Sequence, residues 1–102
     1  MASRLDLHEE LCNLLKSRNV YFQPPTSVMM KYDAIRYSLA DPDVKHADDG
    51  VYLKVNKYEG LVITRDPDST IPDDILHRFK MCSLGRPYVS DNLNHFPFTI
   101  YY

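Results

Sequence analysis

Four aspartates and a histidine crowd into Asp41-Pro42-Asp43-Val44-Lys45-His46-Ala47-Asp48-Asp49-Gly50. Carboxylate oxygens beside an imidazole nitrogen are donors that a divalent cation takes. A calcium loop spaces its carboxylates at alternating positions and closes on a terminal acid. Asp41 and Asp43 begin that pattern, but Val44, Lys45 and His46 break it, so the segment reads as a solvated acidic loop. A second acidic group, Asp66, Asp68, Asp73 and Asp74, is accounted for by turn and helix-start roles. His8, His46, His77 and His95 are scattered, and none joins Cys12 or Cys82 in a nucleophile–base arrangement. Cys12 belongs to the flank of an apolar helical stripe, where a core thiol is expected, and Cys82 has no neighbouring motif that would activate it. Three glycines in 102 residues cannot make a phosphate-cradling loop. The twelve Lys and Arg residues form no stripe interleaved with aromatics, and a net charge of −2 argues against a dedicated nucleic-acid binder. The expectation is a protein that is not an enzyme and carries no cofactor or metal.

The elements that would position such residues begin with Ser3-Arg4-Leu5-Asp6, a capping-box-like start. Leu7, Leu11, Leu14 and Leu15 follow on one helical face, flanked by Leu5 and Cys12, with Glu9 and Glu10 early and Lys16 and Arg18 late. This predicts an amphipathic helix from Arg4 to Ser17, ended by Asn19. Val20-Tyr21-Phe22 is at best an edge strand, because Pro24-Pro25 blocks its extension into a loop holding Met29 and Met30. Ala34 to Leu39 alternates as a half-buried strand, with Ile35, Tyr37 and Leu39 on one face. After the acidic loop, Val51 to Val55 returns as a strand, and Asn56-Lys57 turns or bends it.

From Tyr58 the chain reads as strand, stop and helix. Leu61 and Ile63 share one face of the strand, Asp66-Pro67-Asp68-Ser69 ends it, and Thr70 caps a helix with Pro72 in its first turn and Ile71, Ile75, Leu76 and Phe79 as its apolar stripe. Met81 to Gly85 is an exit from that helix. Tyr88-Val89 and Phe96 to Tyr102 form a closing hairpin around Ser90 to His95, with Pro97 near a sheet edge or outside the ladder. The fold class is therefore α+β in one domain spanning residues 1–102. Its core would be a mostly antiparallel sheet of four to five strands, with two helices on one face, in the order α-β-β-β-α-β-β. The N-terminal residues hold no apolar secretion core and no run reaches membrane-span length, so synthesis and folding in the cytoplasm are expected. Eight tyrosines exceed what so small a core can hold. Tyr52, Tyr58, Tyr88, Tyr101 and Tyr102 are candidate interface aromatics, since tyrosine gives large contact area for few lost rotamers. The competing reading is that half the tyrosines simply cap the sheet.

Several strings follow one another in a set order: Asn19-Val20-Tyr21-Phe22-Gln23-Pro24-Pro25, then Met30-Lys31-Tyr32-Asp33-Ala34-Ile35-Arg36-Tyr37, then Asp66-Pro67-Asp68-Ser69 followed by Ile71-Pro72. The last are Tyr88, Asp91-Asn92-Leu93-Asn94-His95 and the tail Phe98-Thr99-Ile100-Tyr101-Tyr102. In these strings, and over nearly its full length, the chain resembles the tail-terminator proteins of long-tailed phages, also described as tail-completion or minor tail proteins. The resemblance implies a structural virion protein assembled in the host cytoplasm and located in the tail neck. Such a protein forms a homohexameric ring on the head-proximal end of the tail tube, stops tube polymerisation and joins a head-completion protein. Double-stranded DNA would pass through the ring without sequence-specific binding. In such a ring Asp41, Asp43, His46, Asp48 and Asp49 are a candidate lumen or subunit-interface loop, where negative charge would repel the DNA backbone. Two alternatives stay open: another phage neck or tail-tube protein, or a small cytoplasmic adaptor or inhibitor that binds a host protein.

Overall fold

The computed structural model describes residues 4–25, 29–40 and 56–102. The leucine spacing at the start of the chain produces helix α1 (Arg4–Leu15), with Leu7, Leu11, Cys12 and Leu15 buried and Leu5 exposed. The helix stops before the expected Ser17–Asn19 boundary. Lys16 turns into the left-handed region (φ 59°), and the Ser17 N–H donates to the Cys12 carbonyl at 3.2 Å, the six-to-one bond of a Schellman stop. Non-glycine residues pay to adopt that conformation, so nothing in the side-chain pattern marks the stop.

The sheet contains β1 (Val20–Phe22), β2 (Ala34–Leu39), β3 (Lys57–Thr64), β4 (Cys82–Leu84), β5 (Tyr88–Ser90) and β6 (Leu93–Tyr101). Its order is β1-β2-β3-β6-β4, with β5 also paired to β6, and only the β1–β2 pair is parallel. This is the α+β class read from the sequence. The described residues hold six strands, because the stretch expected as a simple exit from the second helix pairs with β6 as β4. The expected strand Val51–Val55 and the acidic loop Asp41–Gly50 lie outside the described residues.

Register decides which side chains share a face. Ile35 is opposite Val62, and Val62 opposite Phe96; Tyr37 is opposite Gly60, and Gly60 opposite Phe98. This face packs with Leu7, Leu11 and Leu15 of α1 and with Ile75 and Phe79 in one core, so both helices cover the same side of the sheet. Phe98 fits because residue 60 is glycine: a Cβ there would stand 2.4 Å from Phe98 Cζ and 2.7 Å from the Arg36 carbonyl oxygen.

Pro97 lies in an interior strand, opposite Leu61 of β3, not at the expected edge. Its carbonyl accepts from the Gly85 N–H at 2.8 Å, so in this antiparallel ladder its nitrogen also faces the β4 side and no bond to β3 is lost. Gly85 faces Pro97 and Tyr88 faces His95, so Arg86 and Pro87 together oppose Phe96 alone, which is a β-bulge. The hairpin closes through Asp91 (φ 52°) and Asn92 (φ 63°), a two-residue turn of the primed kind, shorter than the expected Ser90–His95 connection.

Helix α2 (Ile71–Arg78) begins after the expected turn, where the Asp66 carboxylate accepts from the Asp68 N–H at 2.9 Å. Its cap differs from the Thr70 cap read from the sequence. Thr70 already has helical dihedrals (φ −84°, ψ −8°) and makes no side-chain cap bond, whereas the Ser69 hydroxyl accepts from the Ile71 N–H at 3.3 Å. Ile75 and Phe79 are buried and Leu76 is exposed. An ion pair between Glu10 and Arg78 ties α1 to α2.

Candidate interaction surface

Strand alternation sends Arg36 and Ser38 to the side of β2 opposite the helices. The same rule places Glu59 and Leu61 of β3 and Pro97 and Thr99 of β6 beside them. With Tyr88 and Gln23 these residues line an open trough of about 430 Å³. At one end of this face the segment before β2 is fastened by the Lys31 N–H to the Tyr21 hydroxyl and by the Arg65 N–H to the Asp33 carboxylate, each at 3.1 Å. The Gln23 amide oxygen accepts from the Leu39 N–H at 3.1 Å and fixes the rim.

Tyr88 is 47 % exposed and stacks on His95, with centroids 4.8 Å apart and rings 9° from parallel. Arg36 has no ion-pair partner among the described residues, and Glu59 meets the Lys57 ammonium only at 3.7 Å. An apolar floor of Leu61 and Pro97, one cation, one carboxylate, two hydroxyls and a rigid aromatic suit a contact surface, where tyrosine and arginine are enriched. Among the described residues no three of His, Cys, Asp and Glu gather as a metal site. Burial pushes the thiols of Cys12 and Cys82 up, away from the reactive thiolate. The Cys82 thiol donates to the Phe79 carbonyl at 3.4 Å.

The candidate aromatics separate. Tyr58 is 3 % exposed and packs edge-on to Tyr37 with centroids 6.0 Å apart, so it belongs to the core and not to an interface. Its position on the helix face, set by pairing with Leu39 and Ile100, is the reason. Tyr88 is on the open face at the trough. Tyr101 is half-buried on that same face, and Tyr102 is half-buried against Phe79, centroids 5.9 Å apart. Asp41, Asp43, His46, Asp48, Asp49 and Tyr52 lie outside the described residues. Arg36, Ser38 and Leu61 are not among the site candidates that the sequence offers. The signal for Arg36 and Ser38 is the alternation of β2, but that pattern alone does not reveal which face the described helices leave open.

The sheet edges are less suited to contact than this face. β1 is three residues long and is followed by Pro24, and the β4–β5 edge is broken by the bulge at Arg86–Pro87. Both are devices that discourage strand addition. Elsewhere on the surface, Arg18 grips the Glu9 carboxylate with two hydrogen bonds, at 2.9 and 3.1 Å, and holds it below its ordinary pKa.

Fold and surface together define a class: an α+β domain with both helices on one sheet face and a mixed polar and aromatic trough on the other. No protein-family model, no curated protein and no solved structure matches the chain. No helix among the described residues is long and apolar enough to cross a membrane.

Proposed function

We propose that this protein is a structural component of a long-tailed phage, a tail terminator whose copies close into a hexameric ring on the head-proximal end of the tail tube. The ring ends tube growth and gives the head-completion protein its docking surface. The observation that carries this reading is the open sheet face, where Arg36, without an ion-pair partner among the described residues, and a half-exposed Tyr88 flank an apolar floor. A ring requires two different patches on each copy. The open face is one. The outer side of α2 lies on the far side of the sheet, and its exposed Asp73, Asp74 and Leu76 are partners for Arg36 and for the apolar floor. The order of strings from Asn19 to Tyr102, carried by one domain, supports the same reading.

The test is the mass of the purified full chain by light scattering, alone and mixed with tail tubes, with negative-stain images of the mixture. A six-membered ring seated at one tube end is the expected result. Self-polymerisation into tubes would reassign the protein to the tube itself. A monomer or dimer indifferent to tubes would overturn the proposal in favour of a host-protein partner.

A further inference from the structure

A polar group beneath the helix layer takes no part in the open face. The hydroxyl of Tyr37, a residue 1 % exposed, meets two side chains of α1: Arg4 Nη1 at 3.3 Å and His8 Nδ1 at 2.7 Å. A guanidinium can only donate, so Arg4 occupies a lone pair of the phenol oxygen. The phenol's own proton has one acceptor in this group, the Nδ1 lone pair of His8, and donation in that direction requires His8 to be the neutral Nε2–H tautomer. Arg4 also lies over the Phe22 ring, Cζ 4.3 Å from its centroid, and Phe22 stands 4.9 Å from the ring of Tyr37. The first turn of α1 is thus fastened to β1 and β2 through Arg4 and His8.

We propose that the Arg4–Tyr37–His8 chain is a proton-operated latch: placing a proton on His8 Nδ1 removes the acceptor of the Tyr37 hydroxyl, loosens residues 4–8 from the sheet and uncovers Phe22. Buried Leu11 and Leu15 keep the second half of α1 in place. Around His8, α1 presents Arg4 and Glu9, the connection after it presents Arg18, β2 presents Tyr37 with Tyr58 of β3 behind it, and β1 presents only the uncharged Phe22. Burial first, then Arg4 and Arg18, press the imidazole below its ordinary value of 6.5, against the pull of Glu9. Well above pH 6.5 the ring is neutral whether the latch is open or closed. As the pH falls below that, the open form takes up the proton first, and the closed form's advantage is lost as the pH falls through the lowered folded value.

Side-chain 15N NMR of the full chain, with His8 assigned through His8→Gln, should show an unprotonated Nδ1 at about pH 7.5. Amide exchange at residues 8–10, whose helical bonds run to the carbonyls of residues 4–6, should accelerate roughly three- to tenfold at about pH 5, after correction for intrinsic rate and relative to Val62 and Ile75. Tyr37→Phe should raise the His8 pKa, because the bond that favours the neutral ring is gone. A protonated Nδ1 at neutral pH overturns the latch on the wild-type chain alone. So does an identical exchange response in wild type and His8→Gln, or an unchanged His8 titration in Tyr37→Phe.

Discussion

Gly60 shows how one absent side chain governs the core. Phe98 lies across the backbone of residue 60, and a methyl there would need space already held by a ring and a backbone carbonyl. Gly60→Ala is therefore expected to destabilise the fold by about 1–3 kcal/mol in urea unfolding, the usual range for overpacking. Adding Phe98→Leu should recover part of that loss. The tyrosines give the second residue-scale test. Tyr58→Ala removes a buried ring and should cost about 3–5 kcal/mol, as large aromatic deletions do. Tyr88→Ala should change stability by no more than about 0.5 kcal/mol, since half its surface already faces water. If thermal unfolding ranks the two equally, the assignment of Tyr58 to the core and Tyr88 to the surface is wrong.

Among the elements, the start of α2 was half legible in the sequence. Asp66-Pro67-Asp68-Ser69 announces a stop, and Pro72 with Asp73 and Asp74 announces a helix start. Which hydroxyl caps the helix was not legible, because Ser69 and Thr70 are adjacent and both suit the role. The backbone settles it by bringing Thr70 inside the helical region, leaving Ser69 to hold the Ile71 N–H. Ser69→Ala should accordingly cost about 0.5–2 kcal/mol and Thr70→Ala clearly less, by chemical unfolding of the two variants. The stop of α1 follows similar logic: the leucine stripe reaches Leu15, and the left-handed Lys16 is a backbone event that no side-chain period records. β4 is not legible for a different reason: Cys82, Ser83 and Leu84 alternate, but the run is shorter than the roughly four residues at which alternation becomes a strand signal.

At the scale of the whole molecule, both described helices lie on one side of the sheet, and assembly through the other face, where Arg36 has no ion-pair partner among the described residues, carries its own expectation. Arg36→Glu should leave the unfolding midpoint near wild type while preventing association on tail tubes by light scattering. Asp73→Arg with Asp74→Arg should do the same, and the combined charge reversal should restore association. Recovery in the combined variant would tie the two patches to each other. Failure of every variant to alter a ring that forms normally would place the interface elsewhere while leaving the ring intact.

The sequence by itself determined the local pieces: the helical spacing of Leu7, Leu11 and Leu15, the alternation of Ala34–Leu39, the β-branched content of Leu61–Thr64, the aspartate turn, and hence the α+β class. These depend on neighbours within a few residues, where propensity and period act directly. Only the tertiary structure decided that Tyr58 is inside and Tyr88 outside, that Pro97 sits in an interior strand beside a gap in the ladder, and that Arg36 and Glu59 share a trough. Each of those outcomes depends on pairing between residues far apart in the chain. A shift of one residue in register would move every side chain of a strand to the other face, and it is the packing of both helices on one side of the sheet that selects the register seen here.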